Sequence, residues 1–290
     1  MKKPILAIFV IAFVASCNFT QKKEKTEQQS VENEYKIFVL NDVIRQGSTD
    51  ILISPDPDTL KKYIPDGTFE MAVNAFLVQR NDSNFLFDTG AGAKLVENLA
   101  THGVKPEDVH KIFITHCHFD HIGGLLKDGQ AVFPNAELYI NRIEYDYWKK
   151  EKNELFLQVV EKYEKQLKLF DMIAFVDTEY NEEGKNIIML PSDIYAITAY
   201  GHTPGHTNYI VRNDNDEEML IWGDLTHVMP VQMPHPEYSV TYDVDAKEAA
   251  KSRLLVLDYV VKNNIKVASM HAIEGIGIVK NNGKGGYVFE

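Results

Sequence analysis

Cysteine is almost missing from these 290 residues: Cys17 and Cys117 are the only two. A dense disulfide framework is therefore excluded, and stability has to come from a packed core. Basic residues are also in deficit, 30 Lys and Arg against 42 Asp and Glu, for a formal net charge of −12. That balance argues against a nucleic-acid partner, because phosphate binding needs a basic face. The apolar run Ile5–Val14 is too short to span a bilayer as a helix. No clean internal repeat is visible. Histidine is scarce as well, 10 in all, so any clustering of it carries information. With these exclusions the composition is that of a globular chain, 44% hydrophobic and 25% charged, able to bury a full core.

The scarce histidines do cluster. His116, His118 and His121, with Asp120, fall in the stretch Thr115-His116-Cys117-His118-Phe119-Asp120-His121-Ile122-Gly123-Gly124. Imidazole and carboxylate together suit zinc and similar divalent ions. The apolar run Lys111–Ile114 leads into the cluster and reads as a buried strand. Ligands just past a strand end are held still by the strand. Two side chains at i and i+2 can converge on one ion, and Asp120 and His121 can face a second ion beside it. Cys117 sits between two of these histidines, where strand alternation turns it away from the metal, so it reads as a small buried residue.

Along the rest of the chain, strands are expected at Tyr35–Leu40, Ala72–Gln79, Asn84–Phe87, Ile187–Met189, Ile194–Tyr200, Asn208–Val211, Met219–Trp222 and Lys266–Ser269, with Gly286–Phe289 closing a sheet edge. Turn signals fall at Ser54–Asp58, Pro65–Gly67 and Asp214-Asn215-Asp216. Helices are expected at Ala93–Thr101, from His121 onward, over Ala246–Lys262 and, longest, over Asn141–Phe170. In that last stretch Leu155, Phe156, Val159, Val160, Tyr163 and Leu167 recur at helical spacing, which predicts a face packed on the core rather than an aromatic lid.

The H-x-H-x-D-H cluster resembles that of the metallo-β-lactamase superfamily. Asp88-Thr89-Gly90 after an apolar strand, the loop Gly201-His202-Thr203-Pro204-Gly205-His206-Thr207, the strand Met219–Asp224 and Ser269-Met270-His271 are similar to further motifs of that family, in the same order over residues 36–290. Gly275–Gly277, Gly283–Tyr287 and Pro230-Val231-Gln232 are similar to the methyl parathion hydrolase and lactonase-like group. The resemblance implies an α+β fold, an αββα sandwich of two mixed β-sheets flanked by helices, as one domain over residues 35–290. It implies two divalent ions, zinc foremost with manganese, iron or cobalt as alternatives. His116, His118 and His206 would bind the first, Asp120, His121 and His271 the second, and Asp224 would bridge them together with a hydroxide. Asp88 would orient a ligand or a turn, and His202 would hold its loop. His102, His110 and His235 have no such context.

The activity so implied is hydrolysis of lactones or carboxylic (aryl) esters, with phosphotriesterase side activity, in which Asp120, Asp224 and His227 take part. Zinc β-lactamases of one group carry Arg at the place of His121 and Cys at that of Asp224, and a second group lacks the bridging aspartate, so β-lactam hydrolysis is the lesser alternative. The basic residues of a glyoxalase II-like thioesterase are not found. The related lactonases place a tyrosine three residues after the bridging aspartate, where this chain has His227. A non-catalytic binding module conflicts with a full ligand set. Residues 1–16 have a positive start, an apolar centre and Val14-Ala15-Ser16-Cys17, which resembles a bacterial lipobox. The expectation is an exported lipoprotein held on a membrane by lipid on Cys17, with residues 17–34 as a polar tether. A homodimer is compatible with the resemblance.

Overall fold

Neighbouring residues of the central strands are buried on opposite faces, which is why these strands read as unbroken apolar runs. Ile112 belongs to one core layer and Phe113 to the next; Leu86 and Phe87, Leu220 and Ile221, and Val267 and Ala268 split in the same way. The computed structural model describes residues 35–172, 187–213 and 217–290, within one unit, Asn33–Glu290. The leader and tether expected before residue 35, including Cys17, and the turn expected at Asp214-Asn215-Asp216 lie outside the described residues.

The first half of the chain supplies β1 (Lys36–Ser48), β2 (Thr68–Arg80), β3 (Ser83–Phe87), β4 (Val109–Phe113), the small hairpin β5 (Leu126–Lys127) and β6 (Gln130–Ala131), then β7 (Glu137–Asn141) and β8 (Leu167–Phe170). The second half supplies β9 (Ile187–Leu190), β10 (Ile194–Thr198), β11 (Thr207–Arg212), β12 (Glu218–Trp222), β13 (Lys266–Ser269), β14 (Ile276–Asn281) and β15 (Tyr287–Phe289). The helices are α1 (Pro57–Tyr63), α2 (Leu95–Thr101), α3 (Phe119–Ile122), α4 (Arg142–Glu151), α5 (Glu154–Lys162), α6 (Met229–Gln232) and α7 (Ala246–Asn263). One sheet runs β1-β2-β3-β4-β7-β8 and the other β15-β14-β13-β12-β11-β10-β9. Both are mixed: β3, β4, β7 and β8 pair parallel after antiparallel β1, β2 and β3, and β12 and β13 pair parallel among antiparallel neighbours.

Three core layers follow from this. Phe76, Phe87, Phe113, Tyr139, Tyr209 and Ile221 fill the space between the sheets. Leu99 of α2 and Phe156 and Val159 of α5 cover the outer face of the first sheet, and Val256, Leu257 and Val260 of α7 cover that of the second. The arrangement is the expected αββα sandwich. Asp245 starts α7 by accepting hydrogen bonds from the Lys247 and Glu248 amides, and Asn264 ends it in a left-handed conformation.

The structure corrects the single long helix expected over Asn141–Phe170. Lys152 takes a left-handed φ of 55° and ends α4, and Asn153 caps α5 by accepting from the Phe156 amide. A short polar side chain that bonds its own backbone competes with helix continuation. Beyond α5 the chain turns into β8, which pairs parallel with β7. The helical apolar face does pack on the core: Phe156, Val159 and Tyr163 are fully buried. The strands β1 and β2 run longer than expected, and α1, α6 and β14 occur where no element was expected.

Phe113 stacks on Phe87 at 5.1 Å and on Tyr139 at 4.9 Å between ring centroids, with Tyr209 tilted at 5.6 Å. Phe113→Ala is expected to destabilise the fold by about 3–5 kcal/mol through the cavity left between the sheets, measured as a shift of the chemical-denaturation midpoint at unchanged slope.

Candidate metal centre

Parallel pairing brings strand ends together, and the site is built on those ends. β3 delivers Asp88 and β4 delivers His116, just past their C-termini; β12 delivers Asp224 and β13 delivers His271 in the same way. The two sheets are joined at this edge: the Thr207 amide donates to the Thr115 carbonyl at 2.9 Å, and the Asn74 amide to the Met270 carbonyl at 2.9 Å. Between β12 and Asp224 stands Gly223, where an added Cβ would lie 2.6 Å from both the His206 Nε2 and the Thr115 Oγ1. Only glycine lets these two loops approach so closely.

Asp224 is the centre of the cluster. Its Oδ1 lies 2.9 Å from His121 Nε2 and 3.0 Å from His271 Nε2. Its Oδ2 lies 2.9 Å from His227 Nε2, 3.1 Å from His202 Nε2 and 3.5 Å from His116 Nε2. Burial alone would raise the carboxyl pKa, but the surrounding imidazoles outweigh it and hold Asp224 well below the usual carboxylate range. Ligand atoms fall into three close groups: His116, His118, His202 and Asp224; Asp120, His121 and His271; and Asp224, His227 and His271.

Which ring nitrogen faces inward is decided by the partner of the other one. His121 Nδ1 lies 2.6 Å from Asp88 Oδ2, and His271 Nδ1 lies 2.9 Å from the Ala72 carbonyl oxygen. With Nδ1 donating, each Nε2 presents a lone pair. Both lone pairs point at Asp224 Oδ1, itself an acceptor, and none of these three buried atoms has a hydrogen-bond partner. Lone pairs converging at such distances repel unless a cation lies among them, so the donor set fits a bound divalent ion. His118 uses the opposite nitrogen: its Nδ1 is 2.9 Å from both His116 Nε2 and His202 Nε2.

The structure corrects the expected role of His206. Its Nδ1 donates to the Ala199 carbonyl and its Nε2 accepts from the Asp224 amide, both at 2.9 Å. Both nitrogens are used, so none is left for a metal. Its loop neighbour His202 takes the place instead, with Nδ1 on Asp243 Oδ1 at 2.9 Å and Nε2 turned inward. The two imidazoles stand four residues apart in one Gly-His-Thr-Pro-Gly-His loop, and nothing local in the sequence separates them. Asp243, which fixes the choice, lies 41 residues downstream of His202.

Charge and burial tune the rings differently. Burial, reinforced by His202, holds His118 and His206 down at about 3, so both are neutral at physiological pH. Burial also depresses His202, but Asp224 and Asp243 overcome it and lift the ring to about 9. Ligation needs the neutral ring, so cation binding at His202 releases a proton. Asp88 is pushed up by burial and pulled back by His121 and Thr115. It also accepts from the Thr115 amide at 2.8 Å, and so ties the ligand loop to β3. Cys117 is buried and free, and its amide donates to Glu144 Oε1 at 2.9 Å.

Two charged residues that the sequence did not single out hold the loops. Glu144 accepts from the Cys117 amide, the Gly205 amide at 3.0 Å, the Thr203 hydroxyl at 2.7 Å and the Trp148 indole at 2.6 Å. It therefore clamps the loop of His116 and His118 to the loop of His202. Arg253 donates to the carbonyls of Leu225, Pro236 and Tyr238, fixing the segment that follows Asp224. A cavity of about 680 Å³ opens over the cluster, lined by His118, Asp120, Asp224, His227 and His271 on one side. Phe119 and Tyr242 stand exposed at its mouth.

Asp88→Asn is expected to weaken divalent-metal affinity by about ten- to a hundredfold, the usual cost of losing the partner that orients a ligating imidazole; competition titration against a chromophoric chelator measures it, and unchanged affinity would show that Asp88 serves the turn alone.

Comparison with known proteins agrees with this geometry. The sequence profile of the metallo-beta-lactamase superfamily matches residues 68–264. A curated N-acyl homoserine lactonase of Bacillus cereus is 26% identical over 136 residues, 46% of this chain and 45% of its own length. Metallo-beta-lactamase domain-containing protein 1 of Mus musculus is 48% identical over 59 residues, 19% of this chain and 21% of its own. The chain thus aligns with less than half the length of either curated relative. Among solved structures, the hydrolase AbOPH of the beta lactamase superfamily superposes with a TM-score of 0.74 at 28% identity, over 88% of this chain and 93% of that one. AidC, a dizinc quorum-quenching lactonase, superposes with a TM-score of 0.76 at 24% identity over 89% and 95%. With its profile match over residues 68–264 and its sandwich fold, the chain belongs to the metallo-beta-lactamase superfamily, and its buried His/Asp cluster offers ligand groups that could hold metal.

Proposed function

We propose that this protein hydrolyses lactones or carboxylic aryl esters with two divalent ions, zinc foremost, and acts on phosphotriesters as a side activity. One observation carries the dinuclear reading. The two oxygens of the buried Asp224 face different ligand groups, Oδ2 toward His116 and His202 and Oδ1 toward His121 and His271. A carboxylate placed in this way suits a ligand shared by two ions. The ions, when bound, supply an activated water for attack and polarise the oxygen of the carbonyl or phosphoryl group.

The chain's own residues do the rest. Asp88, Ala72 and Asp243 orient His121, His271 and His202. Phe119 and Tyr242 at the mouth, with Met71 and Val73 deeper in the cavity, offer an apolar bed to an acyl or aryl group. His227 lines the same cavity, and its Nε2 contacts Asp224 Oδ2 at 2.9 Å. A neutral imidazole so placed can take up the proton released by the attacking water and hand it on to a departing oxygen. The lactonase relatives support the lactone, and the identity of each to this chain is confined to 46% of it.

Metal analysis of the purified protein, together with a panel of lactones, aryl esters, phosphotriesters, thioesters and β-lactams, tests the proposal. Two equivalents of metal and turnover of lactones or aryl esters are expected; an inactive, metal-loaded protein across that panel overturns it. Asp224→Ala is expected to weaken both ions and abolish turnover, and full metal content with normal turnover would refute the sharing. His227→Leu is expected to slow alkyl lactones by roughly ten- to a thousandfold, the range for one proton donor, and aryl esters less, because a phenolate leaves unaided. Equal losses on both substrates at unchanged metal content would rule out the proton-donor role.

A further inference from the structure

The wall of the metal cavity opposite the ligand cluster is a pair of strands whose register can be read residue by residue. Val43 pairs with Val73, Arg45 with Met71 and Gly47 with Phe69. Directly opposed residues of an antiparallel pair share a face, and alternate residues along a strand do too. Val43, Arg45, Gly47, Met71 and Val73 therefore lie on one face, and all but Phe69 of the paired set line the cavity. Ile44, between Val43 and Arg45, is 59% exposed on the other side. Arg45 is thus an exposed cation on a wall that Val43, Met71 and Val73 make apolar at one end and Gln46 and Ser48 make polar at the other.

No other Lys or Arg lines this cavity. Among the described residues no acid forms an ion pair with Arg45. The acid two positions after Leu40, Asp42, is engaged elsewhere, accepting from the Ala93 and Lys94 amides. The protein as a whole carries −12, and among the described residues Arg45 is the one Lys or Arg on this cavity, so away from the metal ligands it is the group able to hold an anion. Guanidinium, planar and always charged, matches a carboxylate through two parallel hydrogen bonds.

We propose that Arg45 is a specificity-determining residue that binds a carboxylate carried by the substrate, so that the preferred substrates are esters or lactones with an anionic group at the end of the acyl portion. The proposal rests on the hydrolase reading above. The scissile carbonyl lies at the His/Asp cluster, the intervening carbons lie along Met71 and Val73, and the carboxylate reaches Arg45.

Two aryl esters that differ by a terminal carboxylate separate the possibilities: 4-nitrophenyl butyrate, which is neutral, and mono(4-nitrophenyl) glutarate, which is anionic. Wild-type protein is expected to favour the glutarate by about tenfold or more in kcat/KM, mainly through KM, as for a charge-assisted contact. Arg45→Met should lose about ten- to a hundredfold on the glutarate, well beyond any loss on the butyrate, and Arg45→Lys should recover part of it. Equal handling of both esters by the wild type, or a preference that survives in Arg45→Met, overturns the proposal. If neither ester is turned over, the aryl-ester part of the hydrolase reading fails instead, and titration with glutarate monoanilide still tests Arg45. Binding to the wild type about tenfold tighter than to Arg45→Met upholds the carboxylate contact, and equal binding to both removes it.

Discussion

A buried carboxylate ringed by imidazoles governs this molecule. Asp224 has left water, and an isolated ionised carboxylate in a protein interior is costly enough that it would take up a proton. Here positive charge keeps it ionised, carried by the surrounding imidazoles, His121 and His271 foremost, when they are protonated, and by a bound cation when they are neutral. The same rings cannot all donate, since His121 and His271 have committed their Nδ1 protons to Asp88 and Ala72. The unresolved lone pairs on Nε2 make the cluster a receptor for cations rather than a hydrogen-bonded core.

Everything around the cluster serves to keep these groups in place. Parallel pairing of β3 with β4 and of β12 with β13 sets four site residues at adjacent strand ends, and the Thr207–Thr115 and Asn74–Met270 hydrogen bonds lock the two sheets there. The loops carry no regular structure beyond the short α3 and α6, so buried charges brace them. Glu144 gathers donors from both histidine loops, and Arg253 gathers carbonyls from the segment after Asp224. Each such group is satisfied several times over, which is what makes burying a charge tolerable. The cavity above combines this polar floor with a wall carrying Val43, Met71, Val73 and one arginine.

Much of this was legible in the sequence, and for local reasons. The H-x-H-x-D-H spacing, the apolar runs before Asp88, His116, Asp224 and His271, and the near absence of cysteine and basic charge depend only on neighbouring residues and composition. They determined a metal-binding α+β chain and nearly all of its ligand candidates. Helical spacing in Leu155–Tyr163 gave the right buried face, but it ran past Asn153, whose side chain starts a new helix.

What only the tertiary structure decided involves partners far apart in the chain. His202 and His206 are equivalent at the level of the loop. They are told apart by Asp243 for the one and by the Asp224 amide and the Ala199 carbonyl for the other. Glu144 looks like any surface helix acid until its helix is packed against two ligand loops, and Arg45 looks like any strand cation until its register with Met71 turns it into the cavity. The sequence by itself determined which residue types could bind a metal and on which strand ends they would sit, because those depend on local pattern. Which nitrogen points inward, which histidine is engaged elsewhere and which charge lines the cavity were decided by contacts across the fold, because a lone pair's direction is set by whatever holds the other side of the ring.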